Sequence, residues 1–394
     1  MKLSGIETHE HLQAIKKGMV MNMNNKNWVS VWGNAVSIAE HHPEAYAKYI
    51  TLRYPVYIPF AGDTLRFTFD NYCGSEAVTV TRATVSAATS PVYEKMPLAC
   101  PCKKETICDI TFSKNESVTM EAHQTAVSDP VSFPVKKGMT LTVSLYFADF
   151  TLMQSAVLVT GPLSKGFFSL GDQTHADALP MDTTKTTNWF YFLSNIELMT
   201  AEENHTVICY GDSITAGAWP DYLTLLARQN PDNHTAFIRR ATSGSRVLRQ
   251  YECITYDSYG LKGTNRFPHE IPTTGADTVI IQQGINDIIH PVGIETNPFR
   301  PMSDLPTAKE LIDGYRYYIE EAKKLHLKVY MGTLLPIFGW RTYATFRDDL
   351  RNELNAWIRS AKEIDGCIDF DLALRGSENP SAFREGFDSG DHLH

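Results

Sequence analysis

Four short stretches of this 394-residue chain carry residue types that suit acyl transfer. Gly211-Asp212-Ser213 directly follows the apolar run Val207–Tyr210 and precedes a helical pattern from Trp219 to Leu226. A serine in a tight turn between a buried strand and a helix presents its hydroxyl to a cleft, and amides at the helix start can stabilise negative charge. Taken alone, the tripeptide suits a plain turn and helix cap equally well. The stretch Arg239 to Arg246 places Gly244 in the loop beyond the run Ala236–Ile238, and Gln283-Gly-Ile-Asn-Asp287 follows Thr278–Ile281 with the carboxamide of Asn286. Asp388 to His394 contains Asp391 and His394, three residues apart, so one turn can bring carboxylate and imidazole together. Serine is a poor nucleophile until a base takes its proton, and histidine titrates close to neutral pH. One rim would thus hold a serine, a glycine amide, an asparagine amide and an acid–base pair.

The elements that must position these loops change character along the chain. The first half reads as β-structure: Leu65–Phe69, Ala77–Val85 and Met139–Phe147 alternate apolar and polar residues, as strands with one buried face do. Such strands, separated by Asn, Gly, Ser and Pro, predict an antiparallel sandwich. From about 150 to 205 the pattern weakens, which reads as a connecting region packed against the second half of the chain. From Thr206 onward, short apolar runs (Val207–Tyr210, Ala236–Ile238, Thr278–Ile281, Val329–Met331, Ile368–Phe370) alternate with helical periods at 309–327 and 344–361. Buried strands alternating with amphipathic helices predict a parallel, doubly wound sheet, whose ligands bind beyond the carboxyl ends of the strands. The expected division is 1–200 and 201–394.

Composition narrows the function. The formal net charge is −9, with 36 Lys+Arg against 45 Asp+Glu, which argues against nucleic acid or an anionic membrane as main partner. No apolar run approaches the roughly 18–20 residues of a membrane span, so no membrane insertion is expected. The N-terminus lacks the apolar core of a signal peptide, so the expected compartment is the cytoplasm. Seven cysteines are an odd number for a disulfide framework, and Cys100-Pro-Cys102 is too tight for a zinc pair, so reduced thiols and no metal are expected.

In this order and context the motifs resemble the four blocks of the SGNH hydrolases, the GDSL esterase/lipase family: Gly211-Asp212-Ser213, Gly244, Gly284-x-Asn286-Asp287 and Asp391-x-x-His394. The resemblance runs from about residue 206 to the end. It implies a flavodoxin-like three-layer α/β/α hydrolase domain, with Ser213 as nucleophile, His394 as general base and Asp391 orienting the ring. The implied oxyanion hole is the Ser213 and Gly244 N–H groups with the Asn286 amide. The β-sandwich-like N-terminal domain is similar to the leading domain of a two-domain subgroup that resembles carbohydrate acetylesterases. Two departures stand out. Thr242-Ser243 replaces the asparagine and glycine that often precede the second block's glycine. The family usually continues past the histidine, so a chain ending at His394 is expected to be truncated.

The expected reaction is hydrolysis of small acyl esters, acetyl above all, on sugars or oligosaccharides, without metal or cofactor. A short-chain acyl esterase or lysophospholipase-type activity is the alternative within enzymes, and a carbohydrate-binding protein with a vestigial site the alternative outside them. His392 is set aside as the base because Ser389, not an acid, lies three residues before it. Trp340 is a candidate for stacking on a sugar ring, whereas Trp219 reads as core. Arg246 fits either a loop ion pair or an acidic substrate. Asp212 and Asp287 read as loop organisers. Three roles stand open for the N-terminal domain: binding carbohydrate, lining the cleft, or joining copies into a homo-oligomer. Of these, lining the cleft is the expectation.

Overall fold

The structure, a computed structural model, describes residues 26–39, 46–251 and 259–394. The first half is rich in antiparallel β-structure. One sheet runs Lys26–Gly33, Leu193–Ala201, Gly62–Asp70, Thr125–Val127, with Val131–Val135 also on Gly62–Asp70. A second has the order Lys185–Thr187, Gly166–Leu170, Ile50–Tyr57, Thr140–Phe147, Arg82–Ala87, Cys108–Ile110. Leu65, Phe67 and Phe69 of the first sheet and Val85, Val143 and Leu145 of the second belong to one hydrophobic cluster.

Three details depart from the alternation in the sequence. Thr140–Phe147 is buried along its whole length, not on one face, because it lies inside its sheet. Its polar side chains find partners there: Thr142 pairs with the Ser86 hydroxyl at 2.6 Å, and Ser144 accepts from Arg53 Nε at 2.9 Å. The expected strand at Ala77–Val85 is two strands, Val78–Val80 and Arg82–Ala87, in different sheets. The region from 150 to 205 is no mere connection; it supplies strands to both sheets, ending in the nine-residue Leu193–Ala201.

The second half holds a five-stranded parallel sheet with the order Thr235–Ala241, His205–Gly211, Ala276–Gln282, Lys328–Gly332, Gly366–Ile368. This 2-1-3-4-5 order with intervening helices fits the SGNH α/β fold. Ile208, Val279 and Val329 are buried in the sheet, and Leu311, Tyr315, Ile319, Leu354 and Ile358 of helices Ala308–Lys324 and Thr345–Ser360 cover it. The first of these helices starts with a capping box, Thr307 against Glu310, which satisfies two of its free amides. Phe370, expected in the last strand, instead opens the helix Phe370–Leu374, which Asp369 caps.

The halves are tied at Lys26–Gly33. This strand pairs antiparallel with Leu193–Ala201 and also lies against the parallel sheet, where Ser30 donates its N–H to the Thr274 carbonyl at 2.9 Å and its own carbonyl accepts from the Thr206 hydroxyl at 2.7 Å. Among the described residues, no helix is long and apolar enough to cross a membrane.

Candidate active site

Ser213 opens a four-residue helix at the carboxyl end of the strand His205–Gly211. Asp212 caps it by accepting the Ile214 N–H at 3.1 Å. Burial pushes the Asp212 carboxyl up to about 7, against the opposing pull of that hydrogen bond and of nearby His394.

The Ser213 hydroxyl lies 2.8 Å from His394 Nε2, and His394 Nδ1 lies 2.6 Å from Asp391 Oδ2. Asp391 Oδ1 accepts the N–H groups of Leu393 and His394, both at 2.9 Å, and the Ser389 hydroxyl at 3.1 Å. The side chain that faces the ring therefore also builds the turn that carries it. Partial burial would raise the Asp391 carboxyl, but the bonds from the ring and the two amides outweigh it and hold the group down to about 2. Asp391 stays a carboxylate across the working range. It fixes the ring with its proton on Nδ1, leaving Nε2 free to accept the serine proton.

Gly244 and Asn286 lie in neighbouring loops that are stitched together. Asn286 Nδ2 donates to the Ser245 carbonyl at 3.0 Å, and Gln283 Nε2 to the Ser245 hydroxyl at 2.8 Å. Asp287 accepts the amides of Val247 and Leu248 at 2.8 and 3.0 Å. Burial lifts its carboxyl to about 6, while those two amides and Arg246 work against the rise. Gly244 itself has φ +76°, and a Cβ there would sit 2.3 Å from the Tyr259 ring, so no other residue fits. A carboxamide nitrogen carries two N–H groups, so the bond to Ser245 orients Asn286 and leaves one donor over.

His392 lies apart from this chain of bonds. Its Nδ1 pairs with Asp388 Oδ2 at 2.5 Å, an acid four residues before it rather than three. The ring packs on Gly339. Sequence spacing thus offers two acid–histidine pairs, and only His394 reaches the serine.

A cleft of about 630 Å³ opens beside Ser213 and His394. Ile214, Ala218, Trp219, Leu335, Phe370 and Leu374 make its apolar walls, with Thr160, Ser243 and Gln282 among its polar edges. Trp340 is not part of this lining. It is half-buried against the core of the parallel-sheet half, beneath the Arg341 guanidinium at 4.7 Å. The aromatic residues at the cleft are instead Trp219 and Phe370, with ring centroids 5.8 Å apart. Trp219 follows Ser213 by six residues, a closeness that could have marked it; Thr160, from the first half, has no comparable signal. Arg246 is buried, 3.7 Å from Asp304 and over the Tyr251 ring at 4.1 Å, which is the loop-holding arrangement. Among the described residues, no group of three or more His, Cys, Asp or Glu side chains is arranged to hold a metal ion. Cys100 and Cys102 are buried free thiols in the first half.

The pattern of the GDSL-like Lipase/Acylhydrolase family matches residues 209–394, the span that contains Ser213, Gly244, Asn286, Asp391, His394 and every cleft-lining residue except Thr160. Residues 209–394 are a GDSL-like lipase/acylhydrolase domain. Among curated proteins, no relative matches the sequence. Solved structures similar to the chain include a GDSL-like lipase from Bacteroides thetaiotaomicron VPI-5482, at 20% identity, 49% of this chain, 80% of the other and a TM-score of 0.35. A putative acylhydrolase from Bacteroides fragilis NCTC 9343 gives 21%, 48%, 77% and 0.34. The acetyl xylan esterase AlAXEase gives 21%, 48%, 90% and 0.33. Within the GDSL domain, the serine, the histidine and the aspartate stand in one line of hydrogen bonds, an arrangement suited to proton transfer during acyl transfer.

Proposed function

We propose that the protein hydrolyses carboxylic esters through an acyl-serine intermediate. The observation that carries this is the continuous line Ser213 hydroxyl, His394 imidazole, Asp391 carboxylate at 2.8 and 2.6 Å. Ser213 Oγ attacks the ester carbonyl while His394 Nε2 takes its proton, and Asp391 stabilises the imidazolium. The oxyanion is held by the Ser213 and Gly244 amides and the Asn286 side chain. Collapse breaks the C–O bond, and His394 returns the proton to the departing alcohol. Water, deprotonated by the same ring, then cleaves the acyl-serine. The steps use side chains and main-chain amides alone.

For the substrate we propose small acyl esters, acetyl first, on a sugar or oligosaccharide. Trp219 and Phe370 supply the aromatic faces that suit sugar rings, in place of Trp340. A second reading, a longer-acyl or lysophospholipase-type ester, is favoured by the mostly aliphatic remainder of the cleft: Ile214, Leu335 and Leu374. In either case we take residues 1–200 as a sandwich-like unit walling the cleft of a hydrolase unit at 201–394, and the cytoplasm as the site of action. A carbohydrate-binding protein with a vestigial site would have no need to keep the hydrogen-bonded line intact.

Acetate release from acetylated xylo- and manno-oligosaccharides, set against p-nitrophenyl esters of rising chain length, tests the choice. Strong preference for long acyl chains would overturn the sugar-acetate reading. No turnover of any ester in either set would overturn both.

A further inference from the structure

The cleft beside Ser213 is not made by the GDSL domain alone. Thr160 lines it together with Gly217, Ala218 and Trp219, yet belongs to the first half of the chain. It follows the strand Ser155–Leu158 and is exposed. We infer that the strap 159–164 is the outer wall of the substrate cleft, and that Thr160 is a specificity-determining residue for the part of the ester lying there. This rests on the ester-hydrolase reading above.

The strap is bolted to the segment that carries the nucleophile. The Thr160 amide donates to the Ala216 carbonyl at 3.0 Å. Gly161, at φ +152°, passes so close to the start of the helix Trp219–Arg228 that a Cβ would lie 2.2 Å from Asp221 Oδ2. Asp221 Oδ2 accepts from the Leu163 amide and the Ser164 hydroxyl, both at 2.9 Å. Arg239 completes the joint. Its guanidinium donates to Asp221 Oδ1 and to the Ser164 hydroxyl, each at 2.9 Å, and to the carbonyls of Thr215 and Gly217 at 3.2 and 3.0 Å.

Asp221 and Arg239 are 7% and 5% exposed, so the pair is shielded from water and each charge depends on the other. Such a joint does not slide. The distance between Thr160 and Ser213 is fixed by the fold rather than by a mobile lid. The Thr160 side chain bonds to none of the described residues, so it faces the cleft as a replaceable surface. A side chain on a rigid wall decides which groups fit, and steric mismatch of a few heavy atoms in such a cleft typically changes kcat/KM by about 10–200-fold.

Thr160→Trp, Thr160→Leu and Thr160→Gly in the full chain test this. Two ester series are used, p-nitrophenyl acetate, butyrate and octanoate varying the acyl group, and acetates of alcohols from ethyl to a disaccharide varying the other side. The readout is the ratio of kcat/KM for the largest to the smallest ester. In at least one series this ratio should fall by at least about tenfold in Thr160→Trp, fall less in Thr160→Leu and not fall in Thr160→Gly. The responding series identifies which part of the ester the cleft holds. Should Thr160→Trp fail to fold, Thr160→Leu against Thr160→Gly carries the comparison. Ratios within twofold of the parent in both series would overturn the assignment. If the parent itself turns over no ester and no alkyl fluorophosphonate labels Ser213, the hydrolase reading falls first and takes this one with it.

Discussion

Asp391→Asn separates the two tasks of the Asp391 carboxylate. Oδ1 holds the Leu393 and His394 amides and the Ser389 hydroxyl, and Oδ2 faces His394 Nδ1. Asparagine has the same shape, so its carbonyl oxygen can keep the three turn-building bonds. Its NH2 group then replaces Oδ2 and donates toward Nδ1. A ring that accepts at Nδ1 carries its own proton on Nε2, and a protonated Nε2 cannot take the proton of Ser213. Loss of the orienting charge and the wrong tautomer should together cost about 10³–10⁴ in kcat, or about 4–5.5 kcal/mol of barrier. Stability should hardly move, because the side chain is 42% exposed and its turn is preserved; a melting shift within about 2 °C is expected. Asp391→Ala should lose a similar share of kcat but melt lower, since the turn bonds go too. The assay is kcat for p-nitrophenyl acetate near pH 7.5, with a melt recorded on each variant. If Asp391→Asn keeps more than a tenth of the parent kcat, the carboxylate does not orient the ring and the Asp-x-x-His assignment is wrong.

Three further outcomes are expected. Ser213→Ala should abolish phosphonate labelling and lower kcat by at least about 10⁴ with an unchanged melt; residual labelling would point to another nucleophile. Asn286→Ala should lower kcat about 10²–10³-fold and also reduce the melting temperature, since the Ser245 carbonyl loses its donor; a KM effect without a kcat effect would remove Asn286 from the oxyanion hole. Asp212→Asn addresses a buried acid whose proton is held more tightly in the fold than in the unfolded chain. Above the ordinary carboxyl value of 3.8, the unfolded chain releases that proton while the fold keeps it to about pH 7, so parental stability falls over that window. The variant should therefore gain on the parent as pH rises, by up to about 4 kcal/mol at pH 8 and nothing near pH 4. Urea unfolding at both pH values checks it, and a pH-independent gap would refute it.

Much of the GDSL domain could be read from the chain because its chemistry is local. Ser213, Gly244 and Asn286 sit within four residues of a strand end, and Asp391 and His394 share a single turn. The expected buried runs match the strands to within two or three residues at each end; the last one overshoots to Phe370 because Asp369 starts a helix sooner than apolarity suggests. What the pattern could not hold was anything decided by distant partners. Thr142 and Ser144 look like a solvent face until Ser86 and Arg53 come from other strands to meet them. Trp219 reads as core yet lines the cleft beside Phe370, some 150 residues further on, while Trp340, the candidate for stacking on a sugar, packs against the core of the parallel-sheet half. His392 shows the reverse error of rule-making: an i−4 acid serves as well as an i−3 one.

The strand Lys26–Gly33 has a consequence for how the molecule is made. Its main partner, Leu193–Ala201, lies roughly 160 residues further on, which at a synthesis rate of about 5–20 residues per second arrives on the order of 10–30 s later. Until then Val29 and Val31, both buried in the finished fold, have no partner strand to cover them. The nascent first half must wait with an open sheet edge, a state in which chains pair wrongly with one another. Ribosome-bound chains stalled near residue 190 should accordingly be cut within residues 26–33 by a dilute protease, and chains stalled well beyond residue 240 should resist it.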